Sequence, residues 1–552
     1  MSKLRIILSI FAVAIILTCS SQSSVIADDS PPTRGNGIDE EARWAQFRGN
    51  LNNTGYSVSK VPDTNAKFLN FSTMWPVYSS AAYSNGIIYF GSQSRYVYAV
   101  EAFTGEEVWS YETGAKIDST PIVHEDTVYV GSFDYNLYAF NATTGDLLWS
   151  YPTGGEIVSS PKYYNGSVFF GSKDWNFYAF NVTDQSLTWG APFPTGGEIW
   201  GSPAIADDRV FFGSNGGNLY SVWIDNGTVD WNFTIAPGNN GSVRFSSPAI
   251  YKDRVVVGSD DNNVYCLDEF TGEEIWRFTA GGYVYSSAGI HNDTVYISSN
   301  DFNFYALPLY EDGDGIIAPS EILWQVKTDD FEGGSSPVLA EGKVLIGSTA
   351  YGLMVFNETD GSYYWNFTIP GGAISSPCIV DGKIFIGGLN GVMYGIGASG
   401  RPSLEVQLLP EADSLKANRV MGITFLVTHD QEPIEGAFVT LTISMGELSQ
   451  LGASTFSDGT NRVKYTAPTV VENTTVTIIA VANKFGFDEG RAVYQIVIEP
   501  GTSYGDLTTD SEFPIVKYSG YIVAAIALVV LNIVAFVFLI TLRKKNEEEG
   551  VT

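Results

Sequence analysis

DSTPIVHEDTVYVGSFDYNLYAFNATTGDLLWSYPTGGEI, residues 118–157, decides the fold. Three runs, PIV, TVYVGS and NLYAF, are rich in β-branched and aromatic residues and separated by turn chemistry. A fourth, LLWSY, follows the tight turn TTGD. The stretch therefore predicts a four-stranded antiparallel meander. One such sheet cannot bury both its faces, so it needs neighbours.

The chain supplies them at a fixed period. A start signal recurs at Ser79, Asp118, Ser159, Gly201, Ser246, Ser286, Ser335 and Ser375. A fourth-strand tryptophan recurs at Trp109, Trp149, Trp189, Trp231, Trp276, Trp324 and Trp365. The last unit stops near Gly400 without its tryptophan. Phe71 to Tyr78, with Trp75, precedes the first start signal and is predicted to supply that missing strand. Ring closure of this kind removes free sheet edges. The expected fold is all-β: an eight-bladed β-propeller, then an Ig-like β-sandwich and one C-terminal transmembrane helix. Glycines ending each second strand (Gly91, Gly131, Gly171, Gly213, Gly258, Gly347, Gly387) mark a tight bend or a close approach. Gly105, Gly145, Gly272 and Gly361 mark the turn before the fourth strand. The tryptophans are read as packing between blades.

The segment Ala139 to Trp149, with AVEAFTGEEVW and CLDEFTGEEIW elsewhere, resembles the tryptophan-docking repeat of pyrroloquinoline-quinone-like (PQQ-like) propellers. WAQFRGNLNNTGYS, Trp44 to Ser57, is similar to that family's lead-in. The resemblance covers about residues 44–400. It implies a fold more than a function, because the family includes quinoprotein dehydrogenases, the propeller lipoprotein of outer-membrane barrel assembly and other surface proteins.

In order, residues 1–27 read as a signal peptide, with Lys3 and Arg5 before an apolar run, and 28–43 as a polar leader. Cys19 offers a second reading, a lipoprotein site. The propeller fills 44–400. Residues 401–500 lack the tryptophan repeat, show six or seven strand-like runs and resemble the Ig-like domains of invasin-type surface proteins. A linker, 501–518, leads to an apolar span at 519–542, and Arg543-Lys544-Lys545 begins the tail, 543–552. An uncharged run of that length crosses a bilayer, and the basic triplet stays cytoplasmic. The expected location is a single-pass cell-membrane protein, with everything before the span outside.

The net charge of −31, with no basic patch, argues against nucleic acid as a partner. The expected partners are an extracellular protein or glycan, and the membrane through the C-terminal helix. Twelve N-x-S/T sequons occur, and Asn141, Asn165, Asn181, Asn226, Asn292 and Asn357 are glycosylation candidates. Repeat turns favour Asn, Gly and Thr anyway. Cys266 and Cys378 are read as buried free thiols.

No catalytic residue is assigned. His124 and His291 are expected to be solvated, and no Cys-Cys pair of the quinoprotein type is present. The insertion after Leu309 places Asp312, Asp314 and Glu321 in a spacing that partly matches a calcium loop, but Tyr310 stands where the first acid belongs. An acidic surface loop is the plainer reading. No cofactor is expected, with PQQ or calcium as the alternatives. Blade topology puts the turn between strands two and three on one face with the blade-to-blade links. That face carries the acids Asp134, Asp174, Asp260, Asp261 and Asp301 and the candidate binding residues Tyr135, Trp175, Trp200, Phe245, Tyr283, Tyr285 and Phe302. Most sequons fall on the other. The leading reading is a non-catalytic cell-surface binding or scaffolding protein acting in envelope assembly or adhesion. The alternatives are a PQQ-dependent dehydrogenase and a carbohydrate-binding or carbohydrate-active ectodomain.

Overall fold

In the computed structural model the described residues are 44–500, apart from 236–240, 312, 329–333, 401–402, 430–431, 485–486 and 489. The signal peptide, Cys19, the leader, the linker, the apolar span, the tail and Asp312 lie outside them. No helix among the described residues is long and apolar enough to cross a membrane.

Residues 118–157 form the expected meander: Ile122–His124, Thr127–Gly131, Asn136–Asn141 and Leu147–Pro152, each hydrogen-bonded to the next. Trp149 pairs with Ala139, just after a register irregularity that follows Leu147. Among the described residues, eight sheets built on this plan lie between Tyr56 and Ile396, giving a propeller-like all-β fold. The last contains Lys67–Ser72 paired antiparallel with Val392–Ile396.

That strand corrects the expected Phe71–Tyr78. The link from a fourth strand to the next first strand is commonly ten residues: Glu112 is ten residues before Ile122, and Ser72 is ten before Ala82. A closing strand that ends at Ser72 keeps that spacing. Leu69, opposite Gly395, takes the docking place held elsewhere by tryptophan, and Trp75 lies in the link, 62% exposed. Trp189 also departs from the pattern. It sits in a turn between Ser186–Leu187 and Phe193–Pro194, not in a strand.

The docking itself is as read. Trp109 Nε1 donates to Ala142 O at 2.8 Å, and Trp189, Trp231, Trp276 and Trp324 bond the next sheet in the same way. For Trp109, Trp189, Trp231 and Trp324 the turn glycine of that next sheet (Gly145, Gly227, Gly272, Gly361) has φ near +70° and lies against the indole. A Cβ on Gly145 would stand 2.7 Å from the Trp109 ring. The strand-ending glycines serve close approach: a Cβ on Gly131 would meet Ile157 Cγ2 at 2.2 Å, and one on Gly171 would meet Ile199 at 2.1 Å. Ile117, Ile157, Ile199, Val243, Val284 and Val77 thus each drop a β-branched side chain from a link onto bare backbone.

The start signal has a function that its recurrence alone did not reveal. The N–H of Ser80 donates to Thr120 Oγ1, Thr120 to Ser160 Oγ, Ser160 to Ser202, Ser202 to Ser247, Ser247 to Ser287, Ser287 to Ser336 and Ser336 to Ser376. Ser376 donates back to Ser80 at 2.9 Å, so the hydrogen bonds form a closed circuit through all eight sheets.

The lead-in runs round the inner strand edges near the opposite face. Carbonyls of Trp44, Ala45, Leu51, Asn52, Thr54 and Gly55 accept the first-strand N–H groups of Tyr83, Val123, Ile205, Ile250, Ile290 and Leu339. Lys162 Nζ reaches Phe47 O and Asn50 O, and Ser57 Oγ reaches Ile379 O. The segment therefore touches every sheet and pairs edge groups that would otherwise be open. Buried Arg48 holds it from within, donating Nε to Asn53 O at 2.8 Å and Nη2 to Ala288 O at 2.6 Å. This accounts for the lead-in motif. A Cβ on Gly55 would collide with that guanidinium, and one on Gly49 with the Trp44 ring.

Residues 403–500 form two five-stranded sheets. Both bury their inward residues in one core that includes Ile423, Phe425, Val439, Tyr465, Ile478 and Ile496. Strict alternation, as in Thr474–Asn483, reflects a sheet with one wet face.

Candidate functional site: the link-bearing face

Hydrogen bonds join the links to the turns between strands two and three, for example Ile117 N to Ser92 O and Phe133 N to Lys116 O. These two sets of loops share the face away from the lead-in, as the strand directions require.

The acids on this face are largely engaged in holding the turns. Asp134 accepts from its own turn through Asn136 N, from the Tyr138 hydroxyl at 2.8 Å and from Gly114 N of the preceding link at 2.6 Å. Asp174 and Asp301 repeat all three contacts, and Asp261 repeats the first two. These carboxylates staple sheet to sheet. The expectation that they contribute an acidic binding surface is corrected accordingly.

The aromatic candidates divide into two sets. Tyr135, Trp175 and Phe302 occupy the residue after the stapling acid, at φ of 76°, 73° and 67°. Arg95, Gly217, Asn262, Gly352 and Gly391 hold the equivalent place in the other sheets. A bulky side chain in the left-handed region costs on the order of 1–2 kcal/mol. The fold uses only the backbone here: the carbonyls of Tyr135, Trp175 and Phe302 accept from Thr153, Thr195 and Thr328. The side chains are 46%, 57% and 43% exposed, and none of the three stacks on another ring among the described residues.

Trp200, Phe245, Tyr285 and Tyr283 are brought together. The Trp200 and Phe245 rings lie 5.1 Å apart, Phe245 and Tyr285 5.0 Å, and Tyr285 and Tyr283 5.7 Å. They come from three successive links and make a continuous row, the Trp200–Phe245 and Phe245–Tyr285 pairs meeting edge to face at 71°. Trp200 Nε1 donates to Glu198 at 2.8 Å, and Lys173 Nζ lies 3.6 Å from the Trp200 ring centroid. The other mouth cations are also engaged: Lys116 lies over Phe133 and 3.7 Å from Asp118, and Arg244 is 3.9 Å from Asp260. Burial pushes the Asp118 and Asp260 carboxyls above the ordinary range.

Sequence reasoning missed one further row. The residue after the Gly-Ser or Ser-Ser pair that ends the second strand is Asn215, Asp260, Asn300 and Thr349 in four successive sheets. In each, a buried side-chain oxygen accepts no hydrogen bond among the described residues: Asn215 Oδ1, Asp260 Oδ1, Asn300 Oδ1 and Thr349 Oγ1. Stacking the repeats column by column would have exposed this run.

Elsewhere the candidates are structural. Asp314 Oδ1 accepts from Ile316 N, and Glu321 Oε2 from Ala318 N at 2.7 Å. Their insertion pairs with the preceding sheet through Arg277 N to Gly315 O and buries Ile317. No group of three metal-ligating side chains forms among the described residues. Asn141, Asn181, Asn226 and Asn357 accept backbone N–H groups of their own turns, and Asn165 and Asn292 sit at left-handed turn positions. His124 stacks on Tyr163, and His291 lies 2.6 Å from Glu358 and stacks on Tyr56, so neither is simply solvated. Cys266 and Cys378 are buried and free, and burial raises both thiols.

Residues 75–396 match the family model described as the β-propeller of beta-alanine-activating enzyme. The chain belongs to that propeller family. A second model, outer membrane protein assembly factor BamB, matches residues 315–493 of this PQQ-like chain. No curated protein matches the sequence. Among solved structures, the propeller is similar to BamB from Moraxella catarrhalis (TM-score 0.51, 15% identity, covering 60% of this chain and 97% of that one). It is also similar to quinohemoprotein alcohol dehydrogenase from Comamonas testosteroni (0.54, 16%, 68% and 83%) and to a designed protein, Ika8 (0.51, 14%, 60% and 99%). Identities this low establish the shared fold alone.

Proposed function

We propose that this chain is a non-catalytic cell-surface binding or scaffolding protein. In this reading an eight-bladed propeller stands on an Ig-like sandwich, anchored by the apolar run at 519–542, and meets an extracellular protein or glycan through its link-bearing face. The observation that carries the reading is the placement of Tyr135, Trp175 and Phe302. Three large rings stand in solvent at strained turn positions where glycine, asparagine or arginine serves elsewhere. Folding gains nothing from them, whereas exposed aromatic residues rimmed by polar groups suit recognition. Likeness to an outer membrane assembly factor favours envelope assembly as the setting. The sequons, concentrated away from this face, are proposed as glycosylation sites.

Replacing Trp175 and Trp200 together with alanine tests the reading. Capture of a partner from envelope extracts should fall while the melting temperature stays unchanged. Unchanged capture would remove the face from consideration.

The dehydrogenase reading draws on fold likeness to quinohemoprotein alcohol dehydrogenase. PQQ is a flat quinone bearing carboxylates, so its site needs free cations. Here Lys116, Lys173 and Arg244 are engaged by neighbours. The residues at the mouth do not fit that cofactor. A bound chromophore and dye reduction after adding PQQ with calcium would overturn this judgement.

A further inference from the structure

The second sheet of residues 403–500 runs Ser414–Lys416, Gly490–Glu499, Thr474–Asn483, Phe438–Ile443 and Gly452–Ser454. Alternate residues of its long strands, such as Val439, Ile478 and Ile496, fill the core. The set between them faces away from the core, where an antiparallel sheet ordinarily meets water with polar side chains. Here that set holds Phe438, Ile479, Val481, Val493 and Val497, spaced by threonines and Gln495. Ile479 pairs with Val493, and the Phe438 ring lies over Gly452, where a Cβ would meet it at 2.7 Å. Phe438 is 50% and Val493 57% exposed, so this apolar row is open.

Strand propensity favours β-branched residues on either side of a sheet, but it does not account for the lack of charge. The first sheet around the same core places Arg462 and Lys464 in the middle of its outward side, opposite Thr424 and Gly422. On the second sheet, outward charge is confined to the strand ends: Arg491 at one, and Glu499 beside Lys416 at the other. Contiguous apolar faces of this kind mark contact surfaces.

Charge and size select the occupant. The chain carries 61 acids against 30 lysines and arginines, a net charge of −31, so two copies repel over most of their surface. At this face they do not, whereas a strongly charged partner would find no counter-charge here. Five strands about 4.8 Å apart and up to ten residues long, at about 3.3 Å per residue, offer up to about 800 Å², which is one side of a standard interface. Held in one membrane through 519–542, two copies would also meet at a raised local concentration.

We propose that this face is a seam between two copies of the chain, sheet against sheet about a two-fold axis. The link-bearing face takes no part in it.

The test is sedimentation equilibrium of the full chain in an uncharged detergent, over a range of protein concentration. A reversible dimer is expected. Val493→Glu and Ile479→Lys each set like charges against each other across the seam, and each should weaken association at least tenfold with the melting temperature unmoved. Leu409→Glu, on the outward side of the first sheet, should associate as wild type does. The proposal is overturned if the chain stays monomeric, which would leave the face to lipid or to a different protein. It is overturned equally if both variants remain dimeric, or if Leu409→Glu alone dissociates, since another surface then joins the copies.

Discussion

The N–H of Ser376 donates to the Ser80 hydroxyl oxygen at 2.9 Å, joining residues 296 positions apart and closing the circuit of hydrogen bonds around the channel. Ser80→Ala leaves a buried N–H without a partner and should cost about 1–3 kcal/mol. Ser80→Thr should be tolerated, because Thr120 already serves in the same place. Chemical denaturation of the two variants checks this. Equal midpoints for wild type and Ser80→Ala would mean that the circuit adds no stability.

Trp109 and Trp75 should behave in opposite ways. Trp109 is buried and bonded to Ala142 O in the next sheet, so Trp109→Ala should destabilise by about 3–5 kcal/mol. Trp75 is exposed in a link, and Trp75→Ala should change stability by no more than about 0.5 kcal/mol. Thermal melts decide the matter, and a large loss at Trp75 would restore it to the docking position that Leu69 now holds.

Trp175 should be replaceable at no cost to folding. With φ at 73° and the ring in solvent, Trp175→Gly relieves backbone strain of roughly 1 kcal/mol, offset by the greater freedom of the unfolded chain. Equal or higher stability is the expected result of a denaturant titration. A clear loss would show that the indole packs in solution and would weaken the functional reading of the face.

Lys162 predicts a pH dependence. Its ammonium is fully buried, and burial, followed by the nearby Arg48 charge, depresses its proton affinity well below the usual lysine range. The unfolded chain therefore binds this proton more tightly than the folded one. Stability should rise with pH between the depressed folded value and the ordinary lysine value, about 10.4. Measured from neutral pH to about 9.5, below the range in which tyrosines titrate, the unfolding free energy of wild type should gain on that of Lys162→Met, because the buried thiols, raised by burial, lower both curves alike. Parallel curves would refute the assignment.

What lay open in the sequence was set by short-range physics. Alternation, turn chemistry and a repeated indole define a meander wherever they occur, so residues 118–157 announced their four strands and the neighbouring units followed. Gly131 and Gly171 were readable as close approaches because glycine is uncommon in strands for any other reason. The two free cysteines and the sandwich core were readable from the same alternation.

What only the tertiary structure decided involves residues distant in sequence that the ring brings side by side. The partner of Ser80 is Ser376, and the lead-in carbonyls accept from the N–H groups of six inner strands; no local pattern encodes either. The exact closing strand depended on link geometry, which moved it from Trp75 to Leu69. The acids of the open face looked like a surface until their hydroxyl and N–H donors came into place, and Asn215, Asp260, Asn300 and Thr349 looked like ordinary turn residues until their oxygens were left without partners. A side chain's type limits which bonds it can make; the packed ring determines which of them are already made.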